Sequence, residues 1–256
     1  MLTIKNFGVC KVSVAPVRLE PSDSSEIVTQ LLFGDAVQVL EQGQPWIKIH
    51  FEADGYEGWM DFKQLTYLED NEHHNYIQSP TVYLHDRFLE ITGPLGKQLL
   101  MMGSRLPNFD GKSIRIGNNK YTFETSPTTQ SNNLITTSLE YLNAPYLWGG
   151  KSVFGIDCSG LTQNVFKLNG LQLPRDASKQ VVEGKEIAYE ERQVGDVPFF
   201  INAKGIVHHV GILTEKNQII HAAGYVRIDP FDQKGIYRED LERYTHTFHS
   251  IRRFIP

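Results

Sequence analysis

Apolar and polar residues alternate along much of residues 1–70. A period of two is typical of β-strands that bury one face, and residues 9–14, 36–40 and 46–50 show it most clearly. Turn-forming residues such as glycine, proline and aspartate separate these runs. A polar stretch at residues 69–75 then interrupts the alternation and indicates a domain boundary. The pattern therefore predicts a small all-β domain over residues 1–70.

A second β-rich segment begins near residue 76. Strands are predicted at residues 81–84, 113–117 and 120–123. This segment is similar to the first domain only in its predicted architecture. No sequence repeat is visible between the two. We predict a second, divergent β-barrel over residues 73–125.

The spacing of apolar residues changes in the last half of the chain. A helix is predicted over residues 134–142 and is expected to end at Pro145. A second, amphipathic helix is predicted from Cys158 to Gly170, a residue type that favours the end of a helix. Strands are predicted downstream at residues 195–200, 208–213, 219–222 and 248–254. Helices followed by an antiparallel sheet make residues 128–256 an α+β domain.

Cys158 is the first candidate for chemistry, because the pattern places its thiol where a loop turns into a helix. Free N–H groups and the positive end of the helix dipole favour a thiolate over a thiol at that position. The sequence therefore predicts an activated nucleophile. The alternative is a small, buried core residue without a chemical role.

Two histidines follow on a predicted hairpin. His209 and His221 lie on strands separated by the turn at residues 215–218, so their rings are expected side by side across the strand pair. A cysteine nucleophile needs an imidazole base and a third polar group that orients this base. A single histidine on a strand is more often a core or surface residue. Two histidines on adjacent strands, after a cysteine at a helix start, favour a catalytic set of Cys158, His209 and His221.

Six motifs occur in a fixed order in the last part of the chain. They are Pro-Tyr-Leu-Trp-Gly-Gly at 145–150, Asp-Cys-Ser-Gly at 157–160, Leu-Pro-Arg at 173–175, Gly-Asp at 195–196, His-Val-Gly-Ile at 209–212 and Ile-His-Ala at 220–222. Together they resemble the NlpC-type family of papain-like cysteine peptidases over residues 128–256. The resemblance implies Cys158 as nucleophile, His209 as base, His221 as the orienting residue, and no cofactor. Members of the family typically cut the bond from γ-D-glutamate to an L-diamino acid in peptidoglycan peptides.

The resemblance also implies residues that bind substrate. Tyr146 corresponds to a tyrosine that helps bind the substrate or the oxyanion, and Asp157 to a carboxylate that receives the free amine of an N-terminal L-alanine. Ser159 falls where a small polar side chain assists that subsite. The family often has a serine two residues after the arginine of Leu-Pro-Arg, whereas this chain has Ala177 there and Ser178 one place later. Either Ser178 takes over this role or the hydrogen bond is absent.

Three motifs of the first domain are Arg-Leu-Glu-Pro at 18–21, Gln-Leu-Leu-Phe-Gly at 30–34 and Asp-Gly-Tyr-Glu-Gly-Trp-Met at 54–60. They resemble the bacterial SH3-like barrel that is often attached to these peptidases. In the branch with free-amine specificity, this barrel narrows the cleft so that only a short peptide with an open N-terminus fits. By resemblance, Glu20 and Tyr56 are expected at that rim. The alternative is that Tyr56 simply packs within the barrel and that Glu20 is simply solvated. The implied fold is α+β, a papain-like catalytic domain preceded by two small all-β SH3-like barrels.

Charge and cysteine content exclude other classes of partner. The formal net charge is −5 and no run of Lys or Arg occurs, which argues against nucleic acid or an anionic membrane. The two cysteines, Cys10 and Cys158, do not make a disulfide framework, and no Cys/His spacing matches a zinc site. His246 and His249 are expected to decorate loops or strand faces. We therefore predict no metal.

The predicted function is hydrolysis of murein peptides such as L-Ala-γ-D-Glu-diamino acid, for recycling. Residues 1–13 show no signal peptide and no apolar run is long enough to span a bilayer, so a cytoplasmic location is expected unless a leader has been removed. Three alternatives stay open: an exported cell-wall hydrolase, a non-catalytic module that binds wall peptides, and a papain-like thiol acyltransferase. The preference for lysine or diaminopimelate is left open by the sequence.

Overall fold

The chain forms two compact units in the computed structural model, which describes residues 5–130 and 133–255. Within these residues, one unit contains residues 5–130 and 148–153, and the other contains residues 133–147 and 154–255. Strands dominate the structure and helices are few.

Two predictions from the sequence fall partly outside this part of the chain. The outer domain limits at residues 1 and 256, and the first residues searched for a signal peptide, lie outside the described residues. Within the described ranges, none of the helices combines the length and the apolar character that crossing a membrane requires.

A seven-stranded antiparallel sheet is the main element of the N-terminal unit. Its strands are β1 (Phe7–Cys10), β2 (Val14–Arg18), β3 (Ile27–Leu32), β4 (Ala36–Glu41), β5 (Trp46–Phe51), β6 (Tyr56–Asp61) and β7 (Leu65–Leu68), with a 3-10 helix at Phe62–Gln64. Their order in the sheet is β3-β2-β6-β5-β4-β1-β7. Burial alternates along β5, where Ile47, Ile49 and Phe51 face the core, which confirms the predicted period of two.

The single strand predicted at residues 9–14 is wrong, because the chain turns between β1 and β2. Cys10 donates its N–H to the carbonyl of Asp35 (2.9 Å), and Gly34 donates its N–H to the carbonyl of Cys10 (2.9 Å). β1 pairs with β4 and β7, whereas β2 pairs with β3 and β6. Apolar residues continue through the turn, so the two strands look like one in the sequence.

A helix, α1 (Asp70–Gln78), occupies the polar stretch that the sequence predicts as a boundary. A capping box starts it, in which the N–H of Glu69 donates to Glu72 Oε2 (2.9 Å). Only His73 and Tyr76 of this helix are buried, and the hydroxyl of Tyr76 donates to the carbonyl of Gly34 (2.6 Å). Because so few of its positions face the core, the apolar period of a helix is not visible in the sequence.

A four-stranded antiparallel sheet completes the β-structure of this unit. It consists of β8 (Phe88–Gly93), β9 (Gly96–Met101), β10 (Ser113–Ile116) and β11 (Asn119–Phe123), in the order β10-β11-β8-β9. The strand predicted at residues 81–84 is only an isolated bridge between Tyr83 and Arg105. Val9 and Leu68 of the first sheet share one hydrophobic core with Ile91 and Tyr121 of the second. The second sheet therefore has no separate core among the described residues.

The short strand β12 (Lys151–Ser152) also belongs to the N-terminal unit. The N–H of Lys151 donates to Gln30 Oε1 (2.9 Å), and its Nζ lies 5.1 Å from the centre of the Phe51 ring. Lys151 is 1% exposed, so this cation–π contact forms in the interior.

Among the described residues of the C-terminal unit, three helices accompany a second seven-stranded sheet. Its elements are α2 (Leu134–Leu139), β13 (Gly155–Ile156), α3 (Cys158–Leu168), α4 (Ala177–Gln180), β14 (Lys185–Ile187), β15 (Val197–Ile201), β16 (Val207–Glu215), β17 (Gln218–Ala223), β18 (Tyr225–Asp232), β19 (Gly235–Arg238) and β20 (Arg243–Arg253), with 3-10 helices at Tyr189–Glu191 and Glu239–Leu241. The sheet order is β14-β20-β15-β16-β17-β18-β19. Since β20 also pairs with β19, the strands from β15 to β20 close into a ring. Helix α3 packs on β16 and β17.

Helix α2 is shorter than predicted. The side chain of Asn133 caps it by accepting the N–H of Thr136 (2.8 Å). The helix ends at Leu139, and the N–H of Leu142 then donates to the carbonyl of Leu139 in a tight turn. The prediction that Pro145 ends this helix is therefore wrong, because the backbone leaves the helical pattern several residues earlier.

Candidate active site

Cys158 is the first residue of α3, as predicted. Asp157 caps the helix, since its Oδ1 accepts the N–H of Gly160 (2.7 Å). Gly170 follows the last turn with a φ of +86°, a conformation that glycine adopts without strain. The predicted amphipathic pattern is present, but every residue of α3 is buried, so its polar residues bond inside the unit and do not face solvent. Gln163, for example, donates to the carbonyl of Leu173 (2.9 Å).

The Cys158 sulfur lies against the strand that carries the first histidine. Its Sγ is 4.0 Å from the carbonyl oxygen of His208, and the N–H of Val210 also faces it. The backbone on both sides of His209 therefore contacts the thiol. The packing of α3 on β16 produces this arrangement.

His209 and His221 form a hydrogen bond across the β16–β17 pair, with His209 Nε2 2.8 Å from His221 Nδ1. They do not lie directly opposite each other, as the hairpin predicted, because Gly211 is the register partner of His221. His209 occupies the diagonal position two residues away, which ring side chains can still bridge. The ring centres are 5.0 Å apart and the planes are nearly perpendicular.

Asp229 extends this pair, and the sequence did not indicate it. Its Oδ2 lies 2.9 Å from His221 Nε2, and its Oδ1 accepts from Nη2 of Arg227 (2.7 Å). Arg227 is the register partner of His221 on β18, so Asp229 again takes the diagonal position. Arginine and aspartate two residues apart on a strand, Arg-Ile-Asp, are the signal that could have indicated a polar face there.

Asp157 and Ser159 are both held by Arg175, the last residue of the Leu-Pro-Arg motif. Arg175 Nη1 donates to Asp157 Oδ1 (3.0 Å) and to Ser159 Oγ (2.9 Å), and its Nη2 donates to Asp157 Oδ2 (2.5 Å). All three side chains are buried. A two-point ion pair of this kind fixes the carboxylate rigidly, so it also fixes the start of α3.

Tyr146 lies close to the same residues. A parallel bridge between Tyr146 and Ile156 places it beside the segment that leads into Asp157 and Cys158. Burial raises the pKa of the Tyr146 hydroxyl, and the neighbouring Cys158 and Asp157 raise it further. This hydroxyl therefore stays protonated and can donate a hydrogen bond.

One predicted residue, Ser178, is not brought to this group, and two others belong to the N-terminal unit. Ser178 is exposed on α4 while its neighbour Ala177 is buried, because successive helix residues point in different directions. Ser178 therefore does not replace the serine that is missing at position 177. Glu20 is exposed after β2, with its N–H bonded to Ser25 Oγ (2.9 Å), and Tyr56 begins β6. Both belong to the N-terminal unit, and their predicted role at the cleft rim stays a prediction.

Comparison with known proteins identifies the family. Residues 143–244 match the NlpC/P60 family, and residues 17–65 match the bacterial dipeptidyl-peptidase SH3 domain. A Bacillus cereus protein named gamma-D-glutamyl-L-lysine dipeptidyl-peptidase is 31% identical over 92% of this chain and 77% of its own length. The chain belongs to the NlpC/P60 family. The family resemblance seen in the sequence is thus confirmed, together with the class of cysteine peptidase.

Other NlpC/P60 proteins extend the similarity over most of the chain. A Bacillus subtilis protein, also named gamma-D-glutamyl-L-lysine dipeptidyl-peptidase, is 29% identical over 80% of this chain and 75% of its own. The crystal structure of an NlpC/P60 family protein from Bacillus cereus matches with a TM-score of 0.81 and 25% identity, covering 98% of this chain and all of that one. The arrangement of an SH3-like N-terminal domain and an NlpC/P60 domain is therefore shared, and the latter is consistent with a papain-like fold.

Both reactive groups of the NlpC/P60 unit favour their neutral forms. Burial raises the pKa of the Cys158 thiol to about 12, and Asp157 adds to this effect against the N–H of Val210 and the Arg175 cation. Burial also holds the pKa of His209 well below its usual range, with His246, His221 and His208 adding to the shift. The thiolate predicted from the helix start is therefore wrong for the substrate-free protein. Burial disfavours the Cys158 thiolate by more free energy than the N-terminal end of the helix stabilises it.

His246 is a further neighbour whose role the sequence did not indicate. Its ring stacks on that of His209, with centres 4.0 Å apart, and burial with His221 and His208 lowers its pKa to about 3. Ring nitrogens of His209, His221 and His246 lie within 4.8 Å of one another, and imidazoles are common ligands of transition metals. In this structure the facing nitrogens of His209 and His221 bond to each other. The sequence prediction of no metal stays a prediction.

Proposed function

We propose that this NlpC/P60 protein hydrolyses the bond from γ-D-glutamate to an L-diamino acid in murein peptides whose N-terminal L-alanine is free. The observation that carries the proposal is the Cys158 sulfur beside β16, the strand whose His209 bonds to His221. The names of the relatives in Bacillus cereus and Bacillus subtilis support this class of substrate. Both are named for the γ-D-glutamyl-L-lysine bond.

The reaction starts from a neutral thiol and a neutral imidazole. The Cys158 sulfur attacks the γ-carbonyl carbon while His209 takes the thiol proton, so a C–S bond forms and negative charge moves to the carbonyl oxygen. The C–N bond then breaks, and the His209 imidazolium gives its proton to the departing amine. A water molecule then attacks the thioester carbon with His209 as base, the C–S bond breaks, and the proton on His209 returns to the sulfur as L-Ala-D-Glu leaves. No cofactor takes part in this proposal.

The oxyanion needs hydrogen-bond donors at the start of α3. The N–H of Cys158 is one of the first N–H groups of the helix, which have no partner within it. Tyr146 supplies a second donor, because its hydroxyl stays protonated at neutral pH. Each such donor contributes about 2.7–4 kcal/mol to the transition state.

The free amine of the substrate requires a negative charge. Asp157 is the predicted receiver, but Arg175 binds both of its oxygens, so the pair as a whole is close to neutral. A buried ammonium needs more than a neutral pair to compensate its lost hydration. The family resemblance implies Glu20 as the source of further negative charge, with Tyr56 and Ser159 as polar contacts, and we keep these roles as part of the proposal.

The finer domain assignment and the location belong to the same proposal. We assign residues 1–70 to the SH3-like barrel, residues 73–125 to a divergent second barrel that depends on the core of the first, and residues 128–256 to the peptidase. The shared hydrophobic cluster of the two sheets supports this dependence.

A cytoplasmic recycling enzyme is proposed from the sequence, and cell fractionation with a specific antibody tests it against an exported hydrolase.

One assay tests the activity and its specificity. The full chain is incubated with L-Ala-γ-D-Glu-L-Lys, with the diaminopimelate analogue, and with N-acetylated forms of both, and the products are identified by mass spectrometry. We expect free diamino acid and L-Ala-D-Glu from the free peptides only. Glu20→Gln should raise KM for the free peptide, whereas Glu57→Gln, at another exposed position of the N-terminal unit, is the matched control.

The assay also separates the alternatives. A binding module releases no diamino acid from any peptide, and an acyltransferase releases it only when a second amine acceptor is added. Equal cleavage of free and acetylated peptides would contradict the proposed free-amine specificity while leaving the hydrolase intact.

A further inference from the structure

A continuous chain of buried hydrogen bonds runs from His209 to a carboxylate. His209 Nε2 lies 2.8 Å from His221 Nδ1, and His221 Nε2 lies 2.9 Å from Asp229 Oδ2. The exposed fractions are 4% for His209, 0% for His221 and 3% for Asp229. Water therefore has little access to these bonds, and the three groups must satisfy each other.

The charge of Asp229 determines which group donates and which accepts in both of these hydrogen bonds. Burial raises the pKa of Asp229, but the hydrogen bonds from His221 and Arg227 outweigh burial and hold this pKa below its usual range. An ionised carboxylate only accepts hydrogen bonds, so the proton of the Asp229–His221 bond must reside on His221 Nε2. Burial holds the pKa of His221 below its usual range, so this ring is neutral and its Nδ1 can only accept.

The same logic then applies to the next bond. Because His221 Nδ1 accepts, His209 Nε2 must carry the proton of the bond between the two rings. His209 is also neutral, so its lone pair resides on Nδ1, the nitrogen that is not bound to His221. A neutral imidazole offers one acceptor nitrogen, and a general base needs this acceptor to face the proton it removes.

We propose that Asp229 is a positioning residue that fixes the tautomers of His221 and His209 and so leaves the basic nitrogen of His209 free for the Cys158 thiol. The link to turnover rests on the proposed function, whereas the tautomers themselves do not. Without a carboxylate at this end, the bond between the two rings could point in either direction. In the opposite direction His209 Nδ1 carries a proton and cannot act as the base.

Asp229 also offsets the charge that forms during the reaction. When His209 takes the thiol proton, a positive charge appears next to the rings of His246, His221 and His208, and near Arg227 and Arg238. The carboxylate at the far end of the chain stabilises this imidazolium through His221, as the aspartate of a serine-protease triad does more directly.

Arg227 makes the carboxylate hard to replace by an amide. Its Nη2 donates to Asp229 Oδ1 (2.7 Å), while Oδ2 faces His221. In an Asp229→Asn variant, the amide nitrogen must face one of these two donors. Because an amide is neutral, the ion pair with Arg227 is lost in either orientation, and an amide nitrogen that faces His221 also donates to Nε2 and reverses both hydrogen bonds.

The test combines tautomer spectroscopy with kinetics on the full chain. Two-bond ¹H–¹⁵N correlation spectra of protein labelled with ¹⁵N-histidine assign the protonated nitrogen of each ring, and L-Ala-γ-D-Glu-L-Lys is the kinetic probe. We expect His209 and His221 of the wild-type protein to be protonated on Nε2 at neutral pH. Asp229→Asn should change the His221 tautomer and lower kcat by about 100- to 1,000-fold with little change in KM, less than the about 10⁴-fold loss when a directly bonded aspartate is replaced.

Asp232→Asn is the matched control, because Asp232 ends the same strand and bonds to the hydroxyl of Tyr244 instead of a histidine. It should change neither the tautomers nor kcat. Wild-type His221 protonated on Nδ1 would overturn the proposal even if Asp229→Asn failed to fold. Unchanged tautomers and kcat in a folded Asp229→Asn variant would also overturn it. A wild-type protein with the expected tautomers but no hydrolysis would instead contradict the proposed function.

Discussion

The barrel core around Cys10 and the helix start at Cys158 each hold a buried, free thiol. Burial raises the pKa of both, with Asp35 adding to the shift of Cys10 and Asp157 to that of Cys158. Cys10 bonds only weakly, to the carbonyl of Val12 at 3.4 Å, in a cluster of apolar side chains. The two thiols therefore share their low acidity and differ in what lies beside them.

This comparison indicates which feature of Cys158 supports its proposed role as nucleophile. Its sulfur contacts the backbone on both sides of His209, which is neutral and linked to His221. A base that removes the proton during attack makes a stable thiolate unnecessary. In the proposed mechanism, Cys158 is therefore distinguished from Cys10 by its position beside the His209–His221 pair, and not by its acidity in the resting protein.

The largest expected difference between the two thiols is in turnover. Cys158→Ala should lower kcat for the free tripeptide by about 10⁵-fold or more, because it removes the atom that forms the covalent intermediate. Cys10→Ala should leave kcat unchanged. Release of free lysine measures both, and circular dichroism confirms that each variant is folded. Substantial turnover by Cys158→Ala would remove the basis of the comparison.

Alkylation should separate the two thiols by a smaller factor. At neutral pH, iodoacetamide should modify Cys158 before Cys10, and peptide mass spectrometry measures the two rates. His209→Ala should slow the modification of Cys158 by about 100-fold, since general-base assistance typically contributes at least this much. The Cys10 rate serves as the internal control. An unchanged Cys158 rate in His209→Ala would show that the thiol is activated by other groups.

Acid should destabilise the histidine cluster more than the barrel core. Because the pKa values of His209 and His246 are lowered on folding, the unfolded chain binds more protons, and stability present above about pH 6.5 is lost as the pH falls towards about 3. His246→Asn should therefore lose less stability than the wild-type protein between pH 7 and pH 4 in urea unfolding. His74→Asn, at an exposed position of α1, and Cys10→Ala should keep the wild-type dependence. An equal loss in His246→Asn would contradict this account.

The site residues that could be predicted from the sequence are those that lie in short motifs with a recognisable local structure. Cys158 at a helix start and the two histidines of a hairpin could be found because each lies in a short motif next to its own turn. The alternation of apolar and polar residues in β5 could also be predicted, since one face of that strand is buried. Here the local pattern and the three-dimensional structure agree.

The residues that the sequence missed depend on strand pairing. Asp229 and His246 reach the site through the registers of β17 with β18 and of β19 with β20, which no local pattern specifies. Helix α1 was missed because only two of its residues face the core. The prediction of a thiolate was wrong for a related reason. Burial is the largest effect on the pKa of Cys158, and it depends on how other elements pack around α3.

The last strand of the ring has a consequence for protein synthesis. β20 pairs with β14, β15 and β19, carries His246, and places Arg253 against the buried Asp196, with Nε 2.7 Å from Oδ1. Cys158, His209 and His221 leave the ribosome earlier than this strand. A nascent chain that stops before residue 243 therefore exposes an open sheet edge without a finished site. We expect peptide cleavage to begin only once β20 has emerged and paired.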